Sequence, residues 1–127
     1  MQHEVLAGET YSVLLDEKAS LLEVVWRGHV RQADAMAVYN CLWELLQTHG
    51  PVLFLTNAVD LDDVDMGARW EVVTRIKKQK PYINKSAVCG ASSLVSWLAK
   101  SVVKLSGRDD LKMFGTREEA MGWLTSK

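Results

Sequence analysis

Cysteine occurs only twice in the 127 residues, and so does proline. Two cysteines cannot supply the framework of a disulfide-stapled secreted domain. Cys41 sits in an apolar helical pattern and Cys89 in a strand pattern, so both read as small buried hydrophobes in a reduced, cytoplasmic setting. The prolines, Pro51 and Pro81, each fall where a helical pattern ends. Charge of one sign is also missing: 15 basic residues face 16 acidic ones, a net charge of −1. That balance leaves no bulk field for nucleic acid or an anionic membrane. No apolar run approaches membrane-spanning length. The start, Met1-Gln2-His3-Glu4, lacks the charged and apolar regions of a signal peptide.

The usual carriers of catalysis are absent as well. The three histidines, His3, His29 and His49, stand at element ends or in the tail with no ligand spacing. Cys89-Gly90-Ala91-Ser92-Ser93 is too short for a nucleotide-binding glycine loop, and no Gly-x-Ser-x-Gly elbow exists. Neither cysteine has a basic neighbourhood that would activate it. No nucleophile, base and orienting group can be paired. We therefore expect no enzyme, no cofactor and no metal.

What is present is an ordinary globular composition, 48 % hydrophobic and 24 % charged, at a length suited to one domain, residues 1–127, with one core. Tyr11–Asp16 and Leu21–Arg27 read as the strands of a hairpin, with Leu22, Val24 and Trp26 on one face. A helix follows from about Gln32 to Thr48 with a core stripe of Val38, Leu42, Leu45 and Leu46. Met36, Tyr39 and Trp43 widen its apolar arc to about half the circumference. Gly50 and Pro51 end it. Val52–Leu55 is a short, wholly apolar run, the pattern of a strand buried on both faces.

A second helix is expected from about Asp65 to Gln79, with Asp65 as N-cap and Met66, Trp70, Val73 and Ile76 turned inward. Lys85–Gly90 is another strand. Ser92 or Ser93 opens a third helix to Gly107, apolar over most of its circumference except at Ser96, Lys100 and Lys104. Leu111–Phe114 is a last strand, and Thr116-Arg117-Glu118-Glu119 is a capping box opening a final short helix. The order is ββαβαβαβα. It predicts an α/β fold: a mostly parallel five-stranded sheet with an N-terminal antiparallel hairpin and about four helices.

In such sheets sites gather where strands turn into helices, which directs attention to Asn57 and the acidic stretch Asp60-Leu61-Asp62-Asp63-Val64-Asp65, read as a loop. Counted as a calcium loop from Asp60, Asp62 falls at position 3 and Glu71 at position 12, but Val64 and Asp65 occupy the places that need an oxygen ligand and a glycine. A solvated acidic start to a helix explains the stretch better. The basic segment Arg75, Lys77, Lys78, Lys80 and Lys85 is likewise explained as the complement of a helix C-terminus. The broad apolar third helix and the Met36–Tyr39–Trp43 edge read first as core, and otherwise as a partner surface or the wall of an apolar pocket.

The pattern resembles the STAS-type, SpoIIAA-like domains grouped with Sec14-like proteins. The likeness runs from the hairpin to Ala120-Met121-Gly122-Trp123-Leu124 and is best at Val52–Gly67, Ser86–Gly90 and Met113–Ala120. It implies a regulatory module that binds a protein partner. STAS antagonists resemble phosphorylation switches, with a Ser after an Asp just before the second helix. The corresponding Asp63-Val64-Asp65-Met66-Gly67 has no Ser or Thr, so the switch is not expected here. Asp65 would carry a standing charge there or simply cap the helix. The partner surface implied is Asn57, Asp60, Asp62, Asp63, Asp65, Glu71 and Arg75, with Thr74 and Lys78 beside them. The Sec14-like side of the resemblance implies an alternative, an apolar-ligand or lipid carrier with Trp70, Trp97, Leu98 and Val102 lining a cavity. Exposed aromatic edges are compatible with a homodimer.

Overall fold

The computed structural model describes residues 2–90 and 111–126, together with Ser96, Lys100 and Lys104 between them. The alternation of Leu22, Val24 and Trp26 with their neighbours makes β3 (Leu21–Val30), which pairs antiparallel with β2 (Tyr11–Asp16). Tyr11 lies opposite Trp26 and Asp16 opposite Leu21, the register of the expected hairpin. Outside it lies β1 (His3–Ala7), antiparallel to β2. Four of its five residues are exposed, so no buried face marked it in the sequence.

α1 (Gln32–His49) begins where Arg31 donates its N–H to the Asp34 carboxylate at 2.9 Å. It buries Ala35, Val38, Tyr39, Leu42 and Leu46, each large apolar side chain contributing about 1.5–3 kcal/mol of transfer free energy. Gly50 ends it in extended rather than left-handed backbone, its N–H bonded to the Leu46 carbonyl at 2.9 Å.

β4 runs from Val52 to Val64, 13 residues, and pairs parallel with β3 from Leu53 to Val64 with two shifts of register. β5 (Ile83–Cys89) pairs parallel with β4 only as far as Asn57 opposite Cys89, and β6 (Leu111–Phe114) pairs parallel with β5. The strands stand in the order β1-β2-β3-β4-β5-β6. The sheet is therefore mixed and six-stranded, not mostly parallel and five-stranded: β1 adds a strand and a second antiparallel pairing.

α2 (Met66–Gln79) follows β4, and α3 (Arg117–Leu124) closes the chain. Three bounded α-helices thus stand among the described residues where about four were expected. The expected helix from Ser92 or Ser93 to Gly107 lies outside them except for Ser96, Lys100 and Lys104, which are helical.

The two faces of the sheet are covered differently. Leu22, Val24, Trp26, Val52 and Phe54 pack with α1 and with Ala68 of α2. Leu21, Leu55, Ala87 and Cys89 pack with Ala120 and Leu124 of α3. Because strand side chains alternate, Glu23 belongs to the α3 face, where it is 2 % exposed. The functional consequence lies at the other end of the sheet, where β3 and β4 outrun their neighbours and lead into α1 and α2.

Candidate functional site

The acidic stretch is not a loop. Asp60, Asp62 and Asp63 stand in the last part of β4, with Asp60 opposite Arg27 and Asp63 opposite His29 of β3. The register skips a residue at Asp62 on the β4 side, a bulge of the kind that bends a strand and re-aims its side chains. Beyond Asn57, no described strand lies on the far side of β4. Val59, Asp60, Asp62 and Asp63 are all exposed. Carboxylates and a bulge on an unpaired strand edge also discourage pairing with foreign strands.

His29 stands between two of these carboxylates. Its Nδ1 is 3.2 Å from Asp63 Oδ2 and its Nε2 is 3.8 Å from Asp65 Oδ2. Arg69, one helical turn into α2, places Nη2 3.7 Å from Asp63 Oδ1 and donates from Nε to the Val64 carbonyl at 2.8 Å. The Asp65 N–H donates to the Val30 carbonyl at 3.0 Å. These contacts weld the ends of β3 and β4 to the first turn of α2. Asp65 occupies the N-cap position with extended backbone, yet its side chain makes no capping bond. One of its oxygens, Oδ1, is buried without a hydrogen-bond partner among the described residues. Gly67 allows the first turn of α2 to lie against Gln32 of α1, since a Cβ there would come within 2.6 Å of Gln32 Oε1.

The inward face expected for α2 is half reversed. Ala68 and Gln79 are buried and Val72 and Ile76 pack on the core, but Met66 is 73 % and Trp70 67 % exposed. The cause is that α2 has apolar residues on two sides, so periodicity alone does not say which side meets the sheet. Trp70 therefore lines no interior. Trp97, Leu98 and Val102 lie outside the described residues.

The other expected surface residues divide. Glu71 pairs with Arg75 at 3.3 Å, and Arg75 donates to Asn40 Oδ1 of α1 at 3.1 Å, so both belong to the side of α2 that meets α1. Asn57 lies on the α3 face, donating to Glu23 Oε2 at 3.3 Å. The structure thus gathers Asp60, Asp62, Asp63 and Asp65 at one end with His29, Arg69, Met66 and Trp70, and separates Asn57, Glu71 and Arg75 from them. Arg69 carried one weak sequence signal, its four-residue step from Asp65. Nothing local announced His29.

Reactive groups are sparse. Burial pushes the Cys89 thiol above its ordinary pKa, and burial with the neighbouring Glu44 charge does the same at Cys41. Among the described residues no three His, Cys, Asp or Glu side chains converge as metal ligands.

The SpoIIAA-like family profile matches residues 21–125 of this chain. No curated protein matches it in sequence. Among solved structures, an uncharacterized protein of Shewanella loihica with a SpoIIAA-like fold superposes with a TM-score of 0.66 at 16 % identity, covering 98 % of this chain and 92 % of that one. The anti-sigma factor antagonist SpoIIAA in its unphosphorylated form gives 0.65 at 11 % identity, covering all of both chains. Apo-SiaC from Pseudomonas aeruginosa gives 0.57 at 10 % identity, covering 89 % of this chain and 98 % of that one. At these identities the likeness is one of fold.

Proposed function

The chain belongs to the SpoIIAA-like family, and on that premise we propose that it is a non-catalytic, cytoplasmic regulatory module that works by capturing a protein partner. The contact surface in this reading is the acidic end of β4 with the outward face of α2: Asp60, Asp62, Asp63, Asp65, Met66 and Trp70. The observation that carries it is Trp70, 67 % exposed in the second turn of the helix that Asp65 precedes. Tryptophan is among the residues most enriched at interface hot spots, and Met66, 73 % exposed, stands one turn before it. Fold likeness to an anti-sigma factor antagonist supports the class of activity. The absence of Ser and Thr from Asp63–Gly67 supports a module without the phosphorylation switch. Two free cysteines, Cys41 and Cys89, suit a reduced compartment.

Affinity capture from the cell that makes the protein tests the reading. Wild type should retain a partner that Trp70→Ala and the double change Asp63→Asn, Asp65→Asn lose, with circular dichroism unchanged. Equal capture by all three proteins would remove this surface from consideration.

A further inference from the structure

The outward face of α2 carries more than Trp70. Met66, Trp70, Val73 and Lys77 are spaced four, three and four residues apart. At 100° per residue they fall within a stripe about 60° wide, the seam spacing by which two helices pack along their length. Met66, Trp70 and Lys77 are exposed and Val73 is half-buried. Thr74, beside the stripe, donates its hydroxyl to the Trp70 carbonyl at 2.9 Å. It brings no unpaired donor to a contact.

Charge reverses along the same axis. Asp62, Asp63 and Asp65 stand before the first turn and Lys77 in the last, while Lys78 lies over the Trp43 ring of α1 at 5.3 Å. Two such helices side by side and parallel would set carboxylate against carboxylate. Antiparallel, each acidic end meets the other copy's basic end, and the match is made twice about a two-fold axis. The stripe obeys the same symmetry: Trp70 falls opposite Val73 and Met66 opposite Lys77. The Lys77 stem then lies along the partner's apolar surface while its ammonium reaches the partner's carboxylates.

We propose that α2 is the interface of a homodimer in which two copies pack antiparallel along Met66, Trp70, Val73 and Lys77, with Asp62 of each facing Lys77 of the other. Such an isologous contact closes on itself and forms no filament. It is small beside the about 1,200–2,000 Å² of a standard interface, so the dimer dissociates on dilution. It also covers Met66 and Trp70, which makes dimerisation and partner capture mutually exclusive. That last consequence rests on the proposed partner surface; dimerisation itself does not.

Sedimentation velocity on the full chain, across concentration and salt, tests this. Wild type should dimerise reversibly, less in high salt. Trp70→Asp should abolish the dimer. Lys77→Glu, and separately Asp62→Lys, should each weaken association about tenfold, and both changes in one chain should restore it. A wild type that stays monomeric at the highest concentration, a dimer that survives Trp70→Asp, or a Lys77→Glu, Asp62→Lys double variant that fails to restore association would each overturn the proposal. The Lys77→Glu chain, with its dimer weakened, should still capture a partner. Capture without wild-type dimerisation sinks the dimer alone. A dimer with no captured partner sinks the functional reading alone.

Discussion

Arg117 reaches back across 94 residues of chain to close a bidentate ion pair on Glu23, Nη2 to Oε1 at 2.7 Å and Nε to Oε2 at 2.9 Å. Glu23 is 2 % exposed, near the start of β3, and Arg117 opens α3. Gln2 donates to Oε1 at 3.0 Å and Asn57 to Oε2 at 3.3 Å, so both carboxylate oxygens are satisfied. Burial pushes the Glu23 carboxyl upward, but the bonds from Arg117 and Gln2, the Arg117 charge and the bond from Asn57 outweigh it, and its pKa lies below the ordinary Glu range.

A stranded buried charge costs more than a lost pair. Arg117→Met leaves Glu23 with two amides only and should cost about 2–4 kcal/mol, whereas Glu23→Gln leaves Arg117 able to reach water and should cost about 1–2 kcal/mol. A depressed folded pKa is stability that exists above the unfolded value and is lost as pH falls through the folded one. The urea-unfolding gap between wild type and Glu23→Gln should therefore be full near neutral pH and shrink once pH drops below the ordinary Glu range. A gap that grows in acid would contradict the assignment.

Trp70→Ala should leave the fold alone. Its side chain points outward, so the change in unfolding free energy should stay within about 0.5 kcal/mol, while Leu42→Ala, at the centre of α1, should cost about 2–5 kcal/mol. Chemical denaturation of the two variants separates them. A large loss at Trp70 would mean that the ring is packed, not presented.

The two helix starts should differ. Thr116 accepts the Glu119 N–H at 3.2 Å and donates its hydroxyl to the Glu119 carboxylate at 3.0 Å. Thr116→Ala should cost about 1 kcal/mol. Asp65 makes no capping bond, so Asp65→Asn removes its charge at the helix dipole and beside His29, about 0.3–1 kcal/mol and weaker in salt. Thermal unfolding at low and high ionic strength reads both: the Asp65 effect should fade with salt and the Thr116 effect should persist.

Gly90 and Gly28 both have positive φ, 137° and 63°. A Cβ at Gly90 would also stand 3.0 Å from the Ala58 carbonyl, where β4 leaves β5, whereas Gly28 has open space. Gly90→Ala should cost about 2–3 kcal/mol and Gly28→Ala about 1–2 kcal/mol, with Gly28→Asn milder still because Asn tolerates the left-handed region. Equal losses would show that the Ala58 contact yields freely.

The sequence by itself determined the elements whose signals are local. The hairpin strands, α1 from Gln32, the strand Leu111–Phe114 and the Thr116 cap follow from side-chain period, caps and turns read within a few residues. The acidic end was legible as a place, because Asp60, Asp62, Asp63 and Asp65 are neighbours in the chain. Tertiary structure alone decided the rest. Val59–Val64 is strand because β3 extends beside it, a pairing between distant residues that no local pattern encodes. Met66 and Trp70 face out because Ala68, small enough to sit against the sheet, turned the other apolar side of α2 inward. Glu23 is buried because Arg117, from the far end of the chain, neutralises it. Each was settled by a partner distant in sequence, and such partners meet only when the chain has folded.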